Sequence, residues 1–123
     1  MFRGLSLFCV LVGSKIHEPD TDGFFRIKQS LNSSELVFTV LGDFGGFPKP
    51  FYTTPIQINA ASLLAEVSES RKSSFNLGIG DNFYFWGVKD TSDIRFKKSF
   101  EDVYYQKSLQ IPWYIQWWLK IEP

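Results

Sequence analysis

The sequence has a single cysteine, Cys9, so an intrachain disulfide is excluded and packing must hold the fold. Neither charge is in excess, since 13 Lys and Arg balance 13 Asp and Glu. Without a basic surplus nothing points to nucleic acid, and without an acidic tail nothing points to a basic partner. The only histidine is His17, in a polar stretch where a solvated side chain is its ordinary reading. The longest apolar run, within residues 5–12, is too short to span a bilayer. Internal repeats, low-complexity tracts and a second domain are also missing.

What is present is a globular composition. The chain has 123 residues, enough for one small domain, with 44% hydrophobic and 18% aromatic residues. That aromatic share predicts a core or interface rich in Phe, Tyr and Trp. Residues 1–14 have the layout of a secretory leader. Arg3 supplies the positive start, residues 5–12 the apolar run, and Gly13 and Ser14 the small residues near a cut. The other reading of the same run is a buried N-terminal strand. Residues 15–34 read as a loose N-terminal segment that Phe24, Phe25 and Ile27 pin down. Within it, Asn32-Ser33-Ser34 forms a glycosylation acceptor if the chain is secreted.

Residues 35–41 are β-branched and aromatic, which predicts a strand. Residues 55–69 predict the clearest helix. Thr53 or Thr54 caps it, and Pro55 suits its first position. Ile56, Ala60, Leu63, Leu64 and Val67 recur at helical spacing and are expected to dock on the sheet, each large member contributing roughly 1.5–3 kcal/mol. A second strand follows over residues 75–80, which makes a strand–helix–strand unit with parallel strands. Residues 90–105 read as a second helix, capped by Asp93, with Phe96, Phe100, Val103 and Tyr104 on its core side and Lys97, Lys98 and Asp102 on a solvated face. Residues 112–115 begin a third strand.

The two strands of that unit end alike, in Gly42-Asp43-Phe44-Gly45-Gly46 and in Gly80-Asp81-Asn82-Phe83-Tyr84. As neighbours in one sheet they bring two carboxylates to the edge where open α/β sheets bind ligands. Asp43, Asp81 and Tyr84 are oxygen donors suited to a hard cation. The plainer readings make the acids turn formers and the phenol a core aromatic. The triplet Asp43-Phe44-Gly45 copies a kinase metal-binding motif, but the chain is too short for a kinase. The glycines after Leu41 do not have dinucleotide-binding spacing.

These motifs resemble the animal purple, or tartrate-resistant, acid phosphatases. The likeness runs through Gly42 to Gly46, then through Gly80 to Phe85 with Gly87-Val88 and Asp90. Arg95-Phe96, Phe100-Glu101-Asp102-Val103 and Pro112-Trp113-Tyr114 carry it on, so it covers about residues 36–115. The resemblance implies an α/β fold, part of a metallophosphatase sandwich built from strand–helix–strand units. It implies metal-dependent hydrolysis of phosphate monoesters at a binuclear site. Asp43 would bind the ferric ion, Asp81 would bridge both metals, and Tyr84 would bind iron as a phenolate. The second metal would be zinc or ferrous iron, and the location secreted or lysosomal.

The resemblance stops after residue 115. Where the family has a Gly-Asn-His-Asp-His motif, this chain reads Gln116-Trp117-Trp118-Leu119-Lys120, so residues 116–123 are a divergent tail. The family's later histidine ligands have no counterpart, and no catalytic residue is assigned. The expectation is the N-terminal half of such an enzyme, inactive as written. The alternative is a non-catalytic truncated isoform or fragment that binds a metal weakly or pairs with a full-length partner. A half sandwich would leave Trp113, Trp117 and Trp118 in an exposed patch and the third-strand edge unpaired.

Overall fold

The structure, a computed structural model, describes residues 6–12, 15–17 and 36–118, with side chains over 36–115. Five strands form one sheet: β1 (Ser6–Val12), β2 (Lys15–His17), β3 (Phe38–Leu41), β4 (Phe75–Gly78) and β5 (Trp113–Trp118). Their order is β2-β1-β5-β4-β3. β3, β4 and β5 are parallel, whereas β1 is antiparallel to both β5 and β2. The expected strand–helix–strand unit is there, as β3, the helix α1 (Pro55–Arg71) and β4. Residues 6–12 of the leader-like run are the strand β1. The rest of residues 1–14, and Asn32 with its acceptor motif, lie outside the described residues.

α1 starts where the sequence places it. The Thr54 side chain accepts a hydrogen bond from the Gln57 N–H at 3.1 Å, and Pro55 opens the helix. Lys72 ends it in a left-handed conformation at φ 54°, with Ser73 N–H bonded to the Ser68 carbonyl at 3.0 Å.

The face that α1 buries is not the expected one. Its buried residues are Gln57, Ala61, Ala65 and Ser68. Ile56 is 81% exposed, Leu63 62% and Val67 50%, while Leu64 and Ala60 are only partly covered. Polar satisfaction outweighs aliphatic burial here. The Gln57 amide donates to the carbonyls of Phe44 at 2.5 Å and Ser99 at 2.6 Å. Ser68 Oγ donates to the Ser108 carbonyl at 3.1 Å. Those carbonyls belong to loops and turns with no ladder partner, and leaving one buried and unpaired costs about 1–3 kcal/mol. Two alanines between the polar residues let the helix backbone come close, which leucines would prevent.

The expected second helix over residues 90–105 is broken up. Asp90 spends its carboxylate on a turn, accepting from Ser92 N–H at 2.8 Å. Asp93 instead caps the short helical stretch that starts at residue 94, as expected, its carboxylate accepting from Arg95 N–H and from Lys89 N–H at 2.9 Å each. A π-helical turn follows over Phe96–Glu101, closed by Asp102 N–H to the Lys97 carbonyl at 2.9 Å. The anticipated core side is nevertheless right. Phe96, Phe100, Val103 and Tyr104 are buried, and Lys97 and Lys98 pair with Asp102 at the surface. A 3-10 turn, Lys107–Leu109, then leads into β5.

Trp113 is not in an exposed patch. It is 3% exposed, its indole N–H donates to the Leu109 carbonyl at 2.9 Å, and its ring packs on Phe44, Phe100 and Tyr104. Nor is β5 a free edge, since β4 and β1 flank it. It continues through Trp118, so the change of sequence after residue 115 does not end the strand. The opposite face of the sheet is open and apolar. Leu36, Phe38, Val40 and Ile79 are exposed there, and Phe38 stacks on Phe75 at 4.9 Å.

Candidate metal centre

β3 and β4 are paired in register, Leu41 beside Gly78, and the pairing continues past their ends. Ile79 N–H bonds to the Leu41 carbonyl and Asp43 N–H to the Gly80 carbonyl, both at 3.1 Å. The two Gly-Asp pairs therefore leave the sheet side by side. Asp43 and Asp81 take the same left-handed backbone, at φ 52° and 47°, a conformation aspartate tolerates better than most residues. Both carboxylates face solvent.

Each loop turns an acid outward and a phenylalanine inward. Phe44, 2% exposed, lies at the middle of the core against Phe83, Phe100, Tyr104 and Trp113. Phe83 is 4% exposed and packs edge-on against Phe96 at 5.1 Å. Asn82 is also buried, so it and Phe83 shape the loop. Between the loops the backbones touch. A Cβ on Gly45 would lie 1.2 Å from the Asn82 carbonyl oxygen, so only glycine fits.

Tyr84 closes the arrangement. Its hydroxyl donates to Asp43 Oδ1, joining the phenol of the second loop to the acid of the first. The structure thus brings Asp43 and Tyr84 into contact and sets Asp81 at the same sheet edge. His17 stands on β2 at the opposite edge of the sheet, beside Val10. Among the described residues, no three of His, Cys, Asp and Glu gather as a metal cluster, so the donor set depends on the phenol. What meets at this edge is the Asp43 carboxylate and the Tyr84 hydroxyl, with the Asp81 carboxylate on the neighbouring loop. Carboxylates and phenolates are hard oxygen ligands of the kind a trivalent iron takes.

Arg95 is the residue at this site to which the sequence assigned no role. It is 8% exposed, and its guanidinium donates to the carbonyls of Tyr84 and Gly87. A single arginine just after the Asp93 turn and before a buried Phe was the available signal. Burial lowers its pKa, opposed by nearby Asp93. Beyond the donors lies an aromatic rim, with Phe47 and Phe85 exposed and their rings 5.7 Å apart.

No protein-family model matches the chain. Among curated proteins it is 45% identical over 82 residues to tartrate-resistant acid phosphatase type 5 of Oryctolagus cuniculus, covering 65% of this chain and 25% of that one. It is 44% identical over 82 residues to the Homo sapiens protein of the same name, with the same coverage. It is also 31% identical over 99 residues to purple acid phosphatase 4 of Arabidopsis thaliana, covering 80% of this chain and 24% of the relative. The chain spans about a quarter of the length of these curated relatives. Over the matched stretch it is therefore a relative of the purple, tartrate-resistant type 5, acid phosphatases, and matches them in part.

Proposed function

We propose that these 123 residues carry the iron-binding part of a metal-dependent phosphomonoesterase site, on one sheet of a metallophosphatase sandwich. The observation that carries the reading is the meeting of the two strand-end loops, with the Tyr84 phenol on Asp43 and Asp81 beside them. Asp43, Asp81 and Tyr84 would hold a ferric ion. Bound there, the ion would supply Lewis acidity toward a phosphoryl oxygen. The residues themselves hold the Tyr84 hydroxyl against the Asp43 carboxylate and carry Asp81 on the adjoining loop, at a solvent-facing edge. Two non-glycine residues held in left-handed backbone at matching places support a functional demand on those loops.

The residues present do not fit a second metal. Among the described residues Asp81 is the one donor left for it, whereas a catalytic zinc normally has three protein ligands. Among the described residues no histidine stands at this edge to protonate a leaving alcohol, since His17 is across the sheet. The 123 residues are therefore read as non-catalytic by themselves. A segment that pairs with a longer chain of the same kind is a second reading. The open apolar face of Leu36, Phe38, Val40 and Ile79 favours it. No helix among the described residues is long and apolar enough to cross a membrane. A secreted or lysosomal location follows from the leader-like layout of residues 1–14.

The test is hydrolysis of p-nitrophenyl phosphate at acid pH by these 123 residues, supplied with iron and zinc. Release no faster than the buffer blank is expected. Clear turnover that Asp81→Ala abolishes would show that the site is complete without further ligands.

A further inference from the structure

We propose that Arg95 is a positioning residue for the candidate iron site, holding the Tyr84 loop so that its phenol stays over Asp43. The inference rests on the iron reading given above. Four observations converge on it. The two terminal nitrogens of the guanidinium donate to the Tyr84 and Gly87 carbonyls, which begin and end the turn after the phenol-bearing residue. Gly87 N–H returns to the Phe83 carbonyl at 2.9 Å, closing the same turn from inside. The guanidinium carbon lies 5.5 Å from the centre of the Phe83 ring, so the residue before Tyr84 is gripped as well. Finally, the Arg95 Nε–H is buried and meets no acceptor among the described residues.

That last point separates a clamp from a salt bridge. Among the described residues no carboxylate lies within ion-pair distance of Arg95. Asp93 is near enough to act on the charge but forms no ion pair with it among the described residues. A charged group buried this far is costly, so an apolar side chain would fill the space more cheaply. Its forked geometry is what the site uses. A planar guanidinium reaches two carbonyls at once from a fixed angle, whereas a lysine ammonium on a flexible stem does not. Arg95 is itself anchored, its own N–H bonded to Asp93 Oδ1 at 2.9 Å. The line of support runs from the Asp93 turn through Arg95 to the Tyr84 carbonyl, and on to the phenol and Asp43.

The test compares the unsubstituted chain with Arg95→Lys and Arg95→Ala in two ways. The first is amide hydrogen exchange, which needs no metal. Exchange at Gly87, whose N–H bonds to the Phe83 carbonyl, should rise at least tenfold in both variants, while Val103 and Tyr104 stay as protected as before. The second is the visible absorption per bound iron after ferric addition. The band should shift or weaken in Arg95→Lys at equal iron content, which a residue that only stabilises the fold would not cause. Unchanged exchange at Gly87 overturns the clamp. An unchanged band per iron overturns its effect on the phenol. No band in the unsubstituted chain sinks the iron reading and the phenol's role with it, and the exchange comparison still decides the clamp. Should Arg95→Ala fail to fold, Arg95→Lys supplies both readouts.

Discussion

Replacing Gly45 by alanine should pull the two site loops apart. The added Cβ would sit 1.2 Å from the Asn82 oxygen, 2.2 Å from its carbonyl carbon and 2.9 Å from the Phe83 nitrogen. Ordinary contact for such atoms is about 3.5 Å, so the loops must separate by about 2 Å. All three obstacles are backbone, and no rotamer change relieves them. Overpacking typically costs about 1–3 kcal/mol, and the rigid surroundings put this case at about 3 kcal/mol. For a chain of 123 residues that corresponds to a fall in Tm of about 12 °C. The Asp43–Tyr84 contact spans the same junction and should be lost with it. Gly42→Ala is the control, because its Cβ would meet the Ile79 side chain at 3.3 Å, and that side chain is 66% exposed and free to move. Melting is followed by circular dichroism and iron uptake by absorbance. A Gly45→Ala chain that melts within about 2 °C of the original, and takes up iron as well, would refute the close approach of the loops.

Two further outcomes are expected. Ile56→Ala, on the outer side of α1, should change stability by under about 0.5 kcal/mol, whereas Ala61→Leu, at 0% exposure, should cost about 1–3 kcal/mol in urea unfolding. The reverse order would restore the helix face expected from the sequence. Burial pushes the Tyr104 phenol well above the ordinary tyrosine range, with Gln57 partly opposing, and its hydroxyl bonds to the Phe44 carbonyl at 3.1 Å. Its folded pKa is raised, so its contribution is fully present below about pH 10 and is lost as pH climbs above that value. Urea midpoints measured from pH 8 to 11 should therefore fall above pH 10, and Tyr104→Phe should flatten the fall while costing about 1 kcal/mol at neutral pH. An equal fall in both chains would show that Tyr104 is not the group responsible.

Much of the site could be seen in the chain because it is local. Gly42-Asp43 and Gly80-Asp81 follow strands that the residue pattern marks, and parallel pairing alone sets them side by side. The inward Phe44 and Phe83 belong to the same motifs. What the sequence hid depends on unpaired loop carbonyls. Periodicity points to Ile56, Leu63 and Val67 on α1, but the carbonyls of Phe44, Ser99 and Ser108 draw Gln57 and Ser68 inward instead. Arg95 stands in one of the motifs of the resemblance, but its role was hidden for the same reason, since its partners are backbone oxygens that only the folded turn presents. The stretch over residues 90–105 has helical spacing in its aromatics, yet Asp90 holds its first residues in a turn, so that the helical part begins only after Asp93, which caps it.

The central claim is that Asp43, Asp81 and Tyr84 act on one iron. Its most direct measurement is ferric titration of the purified chain, read by visible absorption and by elemental analysis. One tightly held iron per chain with a phenolate charge-transfer band is predicted, with Tyr84→Phe removing the band and Asp81→Ala lowering the iron content. No bound iron, or a band that survives Tyr84→Phe, would contradict it.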